Sequence, residues 1–171
     1  GNNRVAHQVL QCLIQCCSVV AEWPIDDQVK AVRVQRLIAI VMGVGASRLA
    51  DDPHAVLLAT QALHRLATST ECLQGLFLCP NFASNVGGPL VSFTQRLIEI
   101  VHDPNHSDDE EAIEALDFLL KTWLEMICKG FSDMTARVQI EGTEVGSSLA
   151  DGASTILKVF IQNKLSAKCS T

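Results

Sequence analysis

The chain has 171 residues, 48% of them hydrophobic, and a mean hydropathy of +0.24; this suits one domain with a sizeable core, and the apolar content asks for thorough burial or a covering neighbour. The formal charge is −6, from 13 Lys and Arg against 19 Asp and Glu, and the basic residues are scattered singly, which argues against nucleic acid as a partner. No run approaches about 18 consecutive apolar residues and the first residues lack the pattern of a signal peptide, so the chain reads as soluble and intracellular.

Apolar residues recur at helical spacing almost throughout, and Pro24, Pro53, Pro80, Pro89 and Pro104 divide the sequence into stretches of helix length. The spacing predicts a first helix over 3–22, with Val5, Val9, Leu13, Cys16 and Val20 on one face and Leu10, Ile14 and Cys17 widening it, so the helix is expected to be well buried. After Trp23 and Pro24, Asp26 or Asp27 caps a second helix to about Met42. Val34, Leu37, Ile38 and Val41 face inward, Arg33 and Arg36 face away, and Gly43 and Gly45 end it. Asp52 followed by Pro53 opens a third helix to about Thr68, carried by Ala55, Ala59, Ala62, Leu63 and Leu66. Thr70 and Glu71 open a short fourth helix to about Leu78, which Pro80 stops. The stretch 81–88 reads as a loop from its Asn, Ser and Gly content. Pro89 then starts a helix with Leu90, Phe93, Leu97 and Val101 inward, broken at Asp103 and Pro104.

The best-marked element is 108–131. Asp108, Asp109, Glu110 and Glu111 load the positive end of its dipole ahead of Ile113, Leu116, Leu120, Trp123, Leu124, Ile127 and Phe131. A polar stretch containing Gly142 and Gly146 follows as a loop, with short helix as the alternative. The last helix spans 147–168 on Leu149, Ala153, Ile156, Val159, Phe160 and Leu165, with Gly152 as its weak point. Six full helices and one short one predict an all-α fold. They make an α-solenoid of about three HEAT-like antiparallel helical hairpins, roughly 50 residues each, with a closed helical bundle as the competitor. Residues 1–171 then form a single segment, expected to belong to a much longer protein and to expose apolar residues at both ends.

The search for chemistry assigns no catalytic, cofactor-binding or metal residue. Cys12, Cys16, Cys17, Cys72, Cys79, Cys128 and Cys169 form an odd set without regular spacing, which fits a reducing compartment. His7 with Cys12, Cys16 and Cys17 lacks the second ligand pair of a four-ligand site. Gly43-Val44-Gly45 lacks the Lys-Ser/Thr of a phosphate loop. His102 and His106, which flank Asp103-Pro104-Asn105 near Asp108 and Asp109, read as a solvated loop. His64, beside Arg65, has no nucleophile at a useful spacing and reads as a surface residue, while Trp123 reads as core. The candidate partner-binding residues are Asp108, Asp109, Glu110 and Glu111, which suit a basic protein and are equally at home at a helix start.

The stretch Glu111-Ala-Ile-Glu-Ala-Leu-Asp-Phe-Leu-Leu-Lys-Thr-Trp-Leu-Glu-Met-Ile127, with Leu116, Asp117, Leu119, Leu120 and Trp123 as its pattern, resembles a helix of the importin-β-like nuclear transport receptors, in particular the exportin-four and exportin-seven branch. It covers about a tenth of the chain. The resemblance implies an internal HEAT-repeat segment of a receptor found in cytoplasm and nucleus. Its partners would be protein cargo, the GTPase Ran and nuclear pore proteins, and no catalytic residues transfer. The alternatives are a HEAT-repeat scaffold or adaptor unrelated to transport and a helical-bundle enzyme or cofactor protein, the last needing polar or ligand residues that converge in the interior.

Overall fold

The third helix shows how local chemistry sets the elements. Asp52 Oδ1 accepts from the Ala55 amide at 3.2 Å and Pro53 occupies the first turn, so one free amide is satisfied and another is absent. Ser69 does the same at the next helix, its Oγ accepting from the Cys72 amide at 3.4 Å. The computed structural model describes residues 2–24, 27–48, 51–105, 109–132 and 143–169, all-helical among these and without a strand. The helices are α1 (Asn2–Glu22), α2 (Asp27–Ser47), α3 (Pro53–Ala67), α4 (Thr70–Phe77), α5 (Gly88–His102), α6 (Glu110–Ser132) and α7 (Glu144–Cys169). A π turn, Ala83–Gly87, leads into α5.

Several expectations are corrected. Gly43 and Gly45 do not end α2, which runs on to Ser47. A Cβ at Gly45 would lie 3.1 Å from both Ala59 Cβ and Phe93 Cζ, so its smallness lets α2 approach α3 and α5. The stretch 81–88 is no loop: Asn81 turns the chain at φ 51°, and buried Phe82 and Val86 anchor the π turn. The expected loop after Gly130 falls largely on 133–142, outside the described residues, as do the side chains of Phe131, Val159, Phe160 and Leu165, whereas Gly146 is not in a loop but in α7, which starts at Glu144 instead of Ser147.

Two helices are rotated from their expected phase. In α1 the buried stripe is Ala6, Leu10, Ile14, Cys17 and Val20, whereas Val5, Val9 and Cys16 are exposed. In α6 the buried seam is Ala112, Ala115, Leu116, Leu119, Trp123 and Met126, while Ile113 and Leu124 are exposed. Both helices are apolar over more than one face, so spacing alone does not say which stripe faces the core. By length and composition α1 is also apolar enough to cross a membrane, although Arg4, His7, Gln8, Gln11 and Gln15 interrupt it.

The helices lie in two layers. In the first, α1, α3 and α6 are neighbours in that order and run parallel. Near their starts His7 meets Asp52 and His54 meets Glu111. Further along, His64 lies 5.9 Å from Phe118, and Lys129 Nζ donates to the Thr68 carbonyl at 2.5 Å. In the second layer, α2 is followed by α4 with α5 and then by α7, again in step. Gly75 packs on Ala31, Gln35 donates to the Leu78 carbonyl at 3.3 Å, and Phe93 reaches Gly45. The Ala83 amide donates to Glu144 Oε1 at 3.3 Å, and Gly87 abuts Ser148.

The core between the layers is mainly aliphatic, with Leu10, Ile38, Leu63, Leu66, Leu73, Leu76, Leu97 and Leu119 fully buried, and it also encloses the aromatic rings of Phe77, Phe82, Phe93 and Trp123. Buried Lys30 donates to the carbonyls of Ala21 and Trp23 at 3.2 and 3.4 Å, closing the end of α1.

Candidate functional site

Buried polar side chains are the first place to look for a site. Thr60, Thr94 and Thr122 donate to the carbonyls of Val56, Leu90 and Phe118 at 2.6, 2.8 and 2.8 Å, each within its own helix. Their hydroxyls are therefore satisfied locally and converge on nothing. Cys17 and Cys79 are pushed up to about 12 and about 11, and Cys72 is also raised, mainly by burial, which keeps these thiols protonated and unreactive. Among the described residues no group of three or more His, Cys, Asp or Glu side chains is disposed to hold a metal. Cys12 and Cys16 point outward while Cys17 points into the core, so the cysteine cluster is divided between two faces.

Polar residues do gather along the edge where α1, α3 and α6 begin. His7 Nε2 donates to the buried Asp52 at 2.6 Å while the other Asp52 oxygen caps α3. The His54 ring stands edge-on to His7 at 4.6 Å, and its Nδ1 lies 3.5 Å from Glu111 Oε1, too far for a hydrogen bond. Residues distant in sequence thus make one chain of contacts across three helices: Asp52, His7, His54, Glu111. Beside it, Asp51, Arg96, Glu99, Asp103 and Asp109 line an open cleft. Arg96 faces Glu99 at 3.5 Å, and the cleft as a whole is acidic.

The expected partner-binding residues meet this edge unevenly. Asp108 and His106 lie outside the described residues. Asp109 caps α6, accepting from the Ala112 amide at 3.1 Å. Glu110 and Glu111 are exposed, with Glu111 turned toward His54. His102 Nδ1 donates to the Ile98 carbonyl at 2.8 Å and therefore belongs to its own helix.

His64 is half-buried against Phe118 instead of lying at the surface, and burial is the main cause of its lowered pKa. Sequence reasoning missed the His7–Asp52–His54 contact altogether. The available signal was that Asp52 opens a helix, but nothing in the spacing says which helix start lies beside His7.

Among the described residues the exposed large apolar side chains, Leu78 apart, lie at two places. One is the α1/α2 side, with Val5, Val9, Val19, Trp23, Val29 and Ile40; the other is the α6/α7 side, with Ile113, Leu124, Leu157 and Ile161. No protein-family model, curated protein or solved structure matches the chain.

Proposed function

We propose that this chain is a protein-binding stretch of α-solenoid, with α1/α2, α3 with α4 and α5, and α6/α7 as three stacked HEAT-like hairpins. The observation that carries this reading is the parallel order of equivalent helices in each layer, with apolar side chains exposed on the outer sides of α1/α2 and α6/α7 among the described residues. In a closed bundle the first and last helices would cover one another, whereas a stack leaves one face open at each end. The reading assigns the chain no reaction. Its partner surface is the acidic edge at Asp109, Glu110 and Glu111, with Asp108 beside it in sequence, and such an edge suits a basic protein segment.

The narrower reading, a nuclear transport receptor segment that carries cargo under Ran control, rests on the pattern Leu116, Asp117, Leu119, Leu120 and Trp123. Three of these, Leu116, Leu119 and Trp123, are buried and Asp117 is exposed, an arrangement common to amphipathic helices in many stacks. A scaffold unrelated to transport has the same shape and differs only in what it holds.

The experiment is retention of GTP-locked Ran on the immobilised chain and on its Glu110→Lys, Glu111→Lys variant. Retention that the variant loses supports the transport reading and the acidic edge together. No retention removes the transport reading and leaves the scaffold.

A further inference from the structure

The start of α3 carries a polar atom that the packing encloses and leaves unsatisfied. His54 follows Pro53 in the first turn, and its Nδ1 is buried without a hydrogen-bond partner. Across the seam to α6 stands Glu111 Oε1, 3.5 Å away, with the His54 and Glu111 side chains 33% and 57% exposed. A neutral ring protonated on Nε2 turns a lone pair toward this carboxylate, and the two repel. A neutral ring protonated on Nδ1 would already donate to Glu111, and no such bond is made. A cationic ring carries a proton on both nitrogens. Its Nδ1 can donate to Glu111 after an approach of about 0.6 Å, to the roughly 2.9 Å of a charge-assisted bond.

His7 of α1 completes the group. Its ring stands edge-on to His54 at 4.6 Å between centroids, and its Nε2 donates to Asp52 at 2.6 Å. The other Asp52 oxygen accepts from the Ala55 amide, so both oxygens of Asp52 are engaged and Glu111 is the carboxylate left to His54. Two cations this close repel, and each ring has its own carboxylate to offset that: Asp52 for His7, Glu111 for His54. Glu110 and Asp109 lie beside Glu111 on α6, and Arg4 precedes His7 by one turn on α1. Arg48, just past α2, is held by Asn3 at 2.9 Å. Beyond Pro53 lies the cleft of Asp51, Arg96, Glu99 and Asp103.

We propose that His54 is a proton-operated latch on Glu111. In its cationic form it holds Glu111 against α3, joins the starts of α3 and α6, and cancels one charge of the acidic edge formed by Asp109, Glu110 and Glu111. The edge then holds a basic protein segment more weakly at mildly acidic pH than at neutral pH. The inference rests on the acidic-edge reading of the partner surface above and adds its regulation. Histidines change charge in this pH range, whereas carboxylates and lysines ordinarily do not. A pair this exposed has a modest effect, so the latch tunes affinity by about two- to fivefold.

Calorimetric titration with an octalysine peptide at about pH 7.5 and about pH 5.5, at one ionic strength, reads the effect. The wild type should bind about two- to fivefold more weakly at the lower pH. His54→Gln should lose most of that difference, and His7→Gln, which keeps a donor for Asp52, should retain it. A second measurement needs no partner. Glu111→Gln should lower the urea midpoint more at the lower pH than at the higher when His54 is present, and equally at both in His54→Gln.

Octalysine binding that weakens as much in His54→Gln as in the wild type overturns the latch and leaves the acidic edge standing. A pH dependence lost in His7→Gln and kept in His54→Gln belongs to the His7–Asp52 pair and overturns it as well. So does a urea midpoint that responds equally to Glu111→Gln at both pH values with His54 present. No octalysine binding at the higher pH overturns the acidic edge as the partner surface, and the proposed regulation with it.

Discussion

The Trp123 indole in α6 lies against the bare Cα of Gly152 in α7: a Cβ built there would stand 2.5 Å from Trp123 Cη2 and 3.1 Å from Cζ3. Trp123 is 4% exposed and its rigid ring has no room to retreat. Gly152→Ala gains about 1 kcal/mol of helix propensity but meets an overpacking cost of about 1–3 kcal/mol, so a net loss of roughly 1 kcal/mol is expected. Urea unfolding of Gly152→Ala, Trp123→Phe and the double variant checks the contact. The double variant should be more stable than the two single losses added together, and strict additivity would mean that the ring and the glycine do not oppose each other.

The rotated phase of α6 predicts that two leucines a turn and a half apart differ sharply. Leu119 is fully buried and Leu124 is 63% exposed. Leu119→Ala should cost about 2–5 kcal/mol, and Leu124→Ala about 0.5 kcal/mol or less in dilute solution. A larger loss at Leu124 than at Leu119 would restore the phase expected from the sequence, and equal losses would contradict the buried seam.

Asp52 does two things at once: it caps α3 and receives His7 from α1 at 2.6 Å. Asp52→Ala removes both contacts and should cost about 1–3 kcal/mol. Asp52→Asn keeps a good cap and should lose clearly less. If the two variants unfold at the same urea concentration, the cap contributes nothing measurable.

His64 ties stability to pH. Burial is the largest cause of its lowered pKa; Arg65, Lys121 and Lys129 add to the lowering and Glu125 opposes it. A base whose folded pKa lies below its unfolded value contributes stability in full above the unfolded pKa, near 6.5. That contribution is lost as pH falls from there through the folded value. The wild type should therefore lose more stability than His64→Leu between neutral pH and mildly acidic pH, read from urea midpoints of both proteins. Parallel losses would show that His64 titrates as it does in the unfolded chain.

How much of this was legible in the sequence differs by element. α3 was readable almost to the residue because Asp52, Pro53 and an alanine-leucine stripe all point one way, and Ala55, Ala59, Ala62, Leu63 and Leu66 are all buried. α1 and α6 were readable as helices but not in rotation, because each carries a core stripe and a second apolar stripe. Gly45 was misjudged for a different reason, and the second role of Gly152 was missed: a glycine that ends or weakens a helix and one that admits a neighbour look alike until the neighbour is known. The acidic edge was visible only as the local run at 108–111. The contribution of His7, Asp52 and His54 depends on the stacking of three helices, which no local pattern encodes.

The claim on which the rest depends is that the array is open, with the outer stripes of α1 and α6 facing away from one another. Thermal unfolding of the Val19→Glu, Leu124→Glu double variant, at a concentration where the chain is monomeric, tests it most directly. In an open stack both residues are surface positions, and the Tm should stay within about 3 °C of wild type. If α1 and α6 instead close on each other through these stripes, two buried charges would lower the Tm by about 10 °C or more, and the open array would be contradicted.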